Sequence, residues 1–170
     1  MTRPEGERIA LEEILIAAFT AEVDRAPDPA RMQAIRRILV ATDFSPSSLR
    51  ALPYAEEMAR RFDADLLVLY VDFAPSIYDP VPGDVVASKT AIERAAAALR
   101  GRGVRASAVY RRGAAAEEIV RAAAEERADL IVMATHGRTG LTHALMGSVA
   151  ERVVRHAQCP VLSVRGVAPK

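Results

Sequence analysis

From Arg37 to Val164 the sequence predicts an α/β protein built on a doubly wound parallel sheet, and three observations carry that prediction. Strand-like and helix-like segments alternate along the whole stretch. The strand segments Leu66–Val71 and Leu130–Thr135 are apolar at nearly every position, as expected when helices cover both faces of a sheet. The second of them runs into Gly137 and Gly140 and then a helix, the kind of turn at which parallel sheets bind ligands.

The elements follow in order. In residues 1–35, Leu11, Ile14, Leu15 and Ala18 share one helical face, with Phe19 at its margin and Glu13 opposite. Glu22 would fall on the apolar side, and Pro27 and Pro29 break the pattern. The segment is expected to be an extra amphipathic helix on a short linker, packed on its own domain or on a second subunit. The globular domain is expected over residues 36–166. Ile38–Thr42 is the first strand. A Ser45-Pro46-Ser47-Ser48 run then supplies capping hydroxyls for a helix with Leu49, Leu52, Ala55, Ala59 and Phe62 at helical spacing. Leu66–Val71 is the second strand, and Asp72–Gly83, with three prolines, an irregular loop. A helix to about Arg100 ends at Gly101 and Gly103. Val104–Tyr110 alternates as a third strand, with Arg111 and Arg112 solvated after it. Ala115–Glu126 is a helix with Ile119, Val120 and Ala123 inward. Leu130–Thr135, a glycine loop, a helix over about Leu141–His156 striped by Leu145, Val149 and Val153, and the strand Val161–Val164 complete the pattern.

Composition bounds the function. With 170 residues and 51% hydrophobic content, a single core is expected. A net charge of +1 gives no electrostatic reason to expect a nucleic acid or an acidic membrane as partner. The single Cys159 excludes an internal disulfide and fits a reducing compartment. No apolar run is long enough to span a bilayer, and Glu5, Glu7, Glu12 and Glu13 interrupt any signal-peptide core, so a cytoplasmic location is expected.

The chemistry-bearing segment is Asp129–Val164. Glycines at 137, 140 and 147 let backbone N–H groups approach an anion, and the Ser148 hydroxyl adds a donor. A phosphate, and hence a nucleotide, is the ligand this loop suits. Asp43, after the first strand, faces the same crevice if the first and fourth strands are neighbours; its plainer role is to cap the following helix.

The stretches ILVATDFSPSSLRALPYAEEMARRFDADLLVLYV and DLIVMATHGRTGLTHALMGSVAERVVRHAQCPVLSV together closely resemble the universal stress protein family over residues 36–165. The resemblance implies a five-stranded parallel sheet of order 3-2-1-4-5 and a cytoplasmic homodimer. Its ATP-binding branch carries Gly, two residues, Gly, nine residues, then Gly and Ser or Thr. Gly137 and Gly147–Ser148 match that pattern, and Ala134 stands at the first glycine. By the same resemblance Asp43 would bond the adenine or a nearby group, and Val71 would line its pocket. The backbones of Met133, Ala134, Gly137, Gly147, Ser148 and Val149 would hold ribose and phosphates, with Arg138 and Thr139 adding contacts. Ala115 is a second departure, since many relatives place Pro at that helix start.

Markers of an enzyme are missing: no Walker lysine motif, no GxSxG and no HExxH spacing among His136, His143 and His156. His136 is read as ordering the loop; His143 and His156 are read as surface residues. The expected function is a nucleotide-binding regulatory protein of the stress response. It would bind ATP, with Mg²⁺ arriving on the nucleotide, and change its interaction with an unidentified protein partner. Two alternatives stay open: a nucleotide-free dimeric interaction module, and a slow ATP hydrolase using Asp43 and His136. Dimerisation is expected along the edge strand Val161–Val164.

Overall fold

The computed structural model describes residues 34–72, 85–135 and 147–165. The expected N-terminal helix, the proline loop beyond Asp72, and His136, Gly137, Arg138, Thr139, Gly140, Leu141, His143 and Leu145 lie outside the described residues. Strands β1 (Arg37–Ala41), β2 (Asp65–Asp72), β3 (Ala106–Arg112), β4 (Leu130–Ala134) and β5 (Val161–Val164) form one sheet of order β3-β2-β1-β4-β5. Every pairing is parallel. The helices are α1 (Pro46–Leu49), α2 (Ala51–Phe62), α3 (Val85–Gly101), α4 (Ala115–Glu125) and α5 (Ser148–His156).

Alternation within the strands divides the interior into two layers. Ile38, Val40, Leu66, Val68, Leu130 and Val132 pack with Ala51, Ala55 and Ala59 of α2 and Ile92, Ala96 and Leu99 of α3. Leu39, Ala41, Leu67, Leu69, Ile131 and Met133 pack with Ile119, Ala122 and Ala123 of α4 and Ala150 and Val153 of α5. The first, second and fourth strands are therefore apolar on both faces, which is why they read as continuous runs rather than alternating ones. At the amino edge, the Asp129 carboxylate ties β4 to β1, accepting the N–H groups of Arg36 and Arg37 at 2.8 and 2.9 Å.

Several expectations are corrected. The helix after the first strand is two helices, broken at Arg50. Pro53 explains the break: it has no N–H for the Leu49 carbonyl, and its ring crowds that carbonyl, so the second helix starts where a proline is tolerated. Leu49 and Phe62 are exposed; the stripe against the sheet is Ala51, Ala55 and Ala59, whose small side chains bring α2 close to it. The third strand begins at Ala106, because left-handed Gly103 (φ 81°) turns the chain between α3 and the strand. It runs on to include Arg111 and Arg112. Arg111 is ion-paired with Glu125 at 2.8 Å, so it is not merely solvated. In α5 the buried stripe is Ala150 and Val153, and Val149, one step round the helix, is 36% exposed.

Candidate functional site

The strands of a parallel sheet end at the same edge, and here the end of β4, beside that of central β1, meets the N-terminus of α5. Central β1 pairs with β2 on one side and β4 on the other; Val40 lies opposite Val68 and Val132. The chain leaves β1 at Ala41 and bends through Thr42, whose N–H still donates to the Leu69 carbonyl at 2.9 Å, into Asp43. Val71 lies two residues beyond Leu69 and packs against the α4–α5 layer, as Met133 does. Past β4, the Thr135 carbonyl accepts the N–H of Gly147 at 2.8 Å, which pins the start of α5 to the carboxyl end of β4.

Gly147 is the N-cap of α5, with extended backbone (φ −60°, ψ 147°) and no side chain to cap the helix. The first intrahelical bond runs from the Glu151 N–H to the Gly147 carbonyl at 2.9 Å. The N–H groups of Ser148, Val149 and Ala150 therefore precede any intrahelical acceptor. A helix N-terminus of this kind presents aligned donors and a partial positive charge, the chemistry that suits a phosphate or carboxylate. Glu151, in the first turn, is turned to Arg155 at 2.9 Å.

The turn after β1 is densely bonded, and the Ser45 cap expected from the sequence is only part of its network. Ser45 is the N-cap of α1: its Oγ accepts the Ser48 N–H at 3.1 Å. Asp43 is thus not the cap; its Oδ1 accepts the Ser45 N–H at 3.0 Å. Buried Ser48 donates its hydroxyl to the Ser45 carbonyl at 3.1 Å and lies 3.0 Å from the Thr42 hydroxyl. One hydroxyl proton serves each oxygen, so Thr42 donates to Ser48. Ser48 Oγ also accepts the Asp43 N–H at 3.2 Å, and Thr42 Oγ1 accepts the Phe44 N–H at 3.0 Å. Phe44 sits in the left-handed region at φ 60°, an uncommon place for a bulky residue. Its ring stacks on Tyr70 at 5.2 Å. The hydroxyl-rich run Thr-Asp-Phe-Ser-Pro-Ser-Ser after an apolar strand was the available signal, since such side chains bond the backbone locally.

Of the ten residues expected at the site, Asp43, Val71, Met133, Ala134, Gly147, Ser148 and Val149 lie at or beyond the carboxyl ends of β1, β2 and β4 or at the start of α5, and Gly137, Arg138 and Thr139 lie outside the described residues. Met133 and Ala134 are buried, 5% and 6% exposed. His156 is exposed at the end of α5. Among the described residues no group of three or more His, Cys, Asp or Glu is placed to hold a metal, and no helix is long and apolar enough to cross a membrane.

Tyr110 and Cys159 are among the ionisable groups displaced from their ordinary ranges. Tyr110, whose phenol donates to Asp72 Oδ2 at 3.0 Å, is raised, first by burial and then by that bond and the carboxylate charge. The Cys159 thiol is raised, chiefly by burial and then by Asp129.

Residues 34–165 match the family model described as the universal stress protein family. A universal stress protein of Methanocaldococcus jannaschii is 37% identical over 139 residues, covering 76% of this chain and 82% of that one. A crystal structure of a universal stress protein in complex with cAMP superposes with a TM-score of 0.61 at 28% identity, over 79% of this chain and all of that one. The universal stress protein from Archaeoglobus fulgidus in complex with dAMP gives a TM-score of 0.60 at 25% identity, over 77% of this chain and 98% of that one.

Proposed function

The chain belongs to the universal stress protein family, and on that premise we propose that it is a nucleotide-binding regulatory protein that holds ATP at the carboxyl ends of β1 and β4. The observation that supports this reading is the Gly147–Thr135 hydrogen bond, which pins the uncapped start of α5 to the carboxyl end of β4, the neighbour of β1 in the sheet. The phosphates would take the N–H groups of Ser148 and Val149, with the Ser148 hydroxyl and the backbones of Met133, Ala134, Gly137 and Gly147 around phosphates and ribose. Arg138 adds a cation from the loop. Asp43 would bond the adenine or a group near it, and Val71 would line the pocket. Mg²⁺ would arrive bound to the phosphates. Relatives that bind cAMP and dAMP support an adenine nucleotide as the ligand class. Ala134, at the position of the motif's first glycine, adds one methyl group, and the residue is buried in the sheet, which supports its being tolerated.

In this reading the protein acts in the cytoplasm in stress response, and nucleotide occupancy changes its surface toward a protein partner. The protein works as a homodimer joined along β5, an edge strand with one neighbour in the sheet. The bonds from Ile131 N–H to the Pro160 carbonyl and from Thr135 N–H to the Val164 carbonyl turn alternate residues toward β4. Val161 and Ser163 then turn their N–H and C=O outward, ready to pair with a second copy.

The test is mass spectrometry of nucleotide released by denaturing the purified protein, followed by calorimetric titration with ATP, AMP and cAMP, with and without Mg²⁺. Bound adenine nucleotide and saturable ATP binding support the proposal. A preparation free of nucleotide that ignores millimolar ATP overturns it and favours the nucleotide-free interaction module.

A further inference from the structure

We propose that Thr42 and Ser48 are positioning residues that set the direction of the Asp43 carboxylate, and so determine nucleotide affinity without touching the nucleotide. The inference rests on the nucleotide-binding reading above. Both residues are buried, 5% exposed, yet every described bond of their hydroxyls goes to the turn that carries Asp43. Ser48 Oγ accepts the Asp43 N–H and donates to the Ser45 carbonyl; Thr42 Oγ1 donates to Ser48 and accepts the Phe44 N–H. The backbone on each side of Asp43 is thereby fixed, and the Ser45 N–H then holds Asp43 Oδ1 at 3.0 Å. Phe44, at φ 60°, needs such support, because a non-glycine residue stays in that region only where its surroundings over-determine it. A cap for α1 alone requires only the Ser45 hydroxyl. The Thr42–Ser48 pair is additional to that cap, and what it fixes is the orientation of Asp43.

The experiment uses the full chain and ATP titration calorimetry on wild type, Thr42→Val, Thr42→Ser, Ser48→Ala, Asp43→Ala and the Thr42→Val/Asp43→Ala double variant. Thermal unfolding is recorded for each, and amide hydrogen exchange is followed at Asp43 and Phe44. Thr42→Val and Ser48→Ala are each expected to weaken ATP roughly tenfold, on the order of one hydrogen bond's worth of lost positioning. Thr42→Ser restores the hydroxyl and is expected to bind within about twofold of wild type. In the Asp43→Ala background Thr42→Val should change affinity no further, although its effect on the melting temperature persists. Exchange at the Phe44 amide should quicken in Thr42→Val. Equal loss with and without Asp43, or unchanged affinity in both Thr42→Val and Ser48→Ala while wild type binds and Asp43→Ala does not, overturns the positioning role and leaves the nucleotide reading standing. Wild type that does not bind ATP removes both.

Discussion

Replacing Gly147 by Asp separates binding from folding at the start of α5. Gly147 has φ −60° and ψ 147°, a conformation open to any L-residue, so no backbone strain is introduced. Its own N–H still donates to the Thr135 carbonyl. An aspartate at the N-cap accepts a following N–H and places a negative charge at the positive end of the helix. Relative to glycine the cap contributes a few tenths of a kcal/mol and the charge about 0.3–1 kcal/mol. Gly147→Asp is therefore expected to stabilise the domain by about 0.5–1 kcal/mol, or raise its melting temperature by about 1–4 °C. The same carboxylate occupies a donor that the phosphate needs and repels the phosphate charge. With a charged hydrogen bond worth about 1.5–3 kcal/mol, a loss of about 3 kcal/mol corresponds to roughly a hundredfold weaker ATP binding. Gly147→Ser competes for the donor without the charge and should lose roughly tenfold. Urea unfolding and ATP calorimetry on the three proteins read both quantities. Undiminished ATP affinity in Gly147→Asp refutes the phosphate seat; a destabilisation above about 1 kcal/mol refutes the cap geometry on which the argument stands.

Other outcomes can be stated. Ile131→Ala, at a fully buried position of β4, should cost about 2–5 kcal/mol of stability in urea unfolding, and a cost below about 1 kcal/mol would contradict the two-layer core. Because burial and Asp72 raise the Tyr110 pKa, the folded state favours the neutral phenol; its stabilising contribution is whole below the ordinary phenol range and is lost as pH rises through the folded value. Tyr110→Phe should accordingly flatten the decline in stability above about pH 10, measured by denaturant unfolding across that window. The raised Cys159 pKa predicts slow alkylation by iodoacetamide at pH 8, faster in Asp129→Asn, and equal rates in the two proteins would remove the charge contribution. Ser163→Pro deletes an outward N–H of β5 without touching its ladder to β4, so light scattering should find a folded monomer; an unchanged dimer would place the interface elsewhere.

Much of the fold was legible because each strand that pairs on both sides is also apolar on both faces, so Leu66–Val71 and Leu130–Thr135 announced themselves. Strand order is a tertiary property that periodicity does not encode; it came from the family resemblance. The helix after β1 misread at Pro53, where the apolar spacing continued but the Leu49 carbonyl had lost its donor. Val149 fits a helical stripe counted from Leu145, yet the interior of α5 is keyed to Ala150 and Val153. Gly147 and Ser148, singled out by their spacing, stand at the start of α5, whereas the Thr42–Ser48 pair carried no such signal. Small hydroxyl residues carry little periodic signal, and their role depends on which backbone groups the fold leaves within reach.

The central claim is that an adenine nucleotide sits between the end of β1 and the start of α5. Amide chemical-shift mapping of the isotopically labelled protein during ATP titration tests it most directly. The account predicts saturable shifts concentrated at Asp43, Val71, Ser148, Val149 and Ala150, with the β5 amides of Val161 and Ser163 little changed. Absence of saturable shifts at millimolar ATP, or shifts confined to residues away from these strand ends, would contradict it.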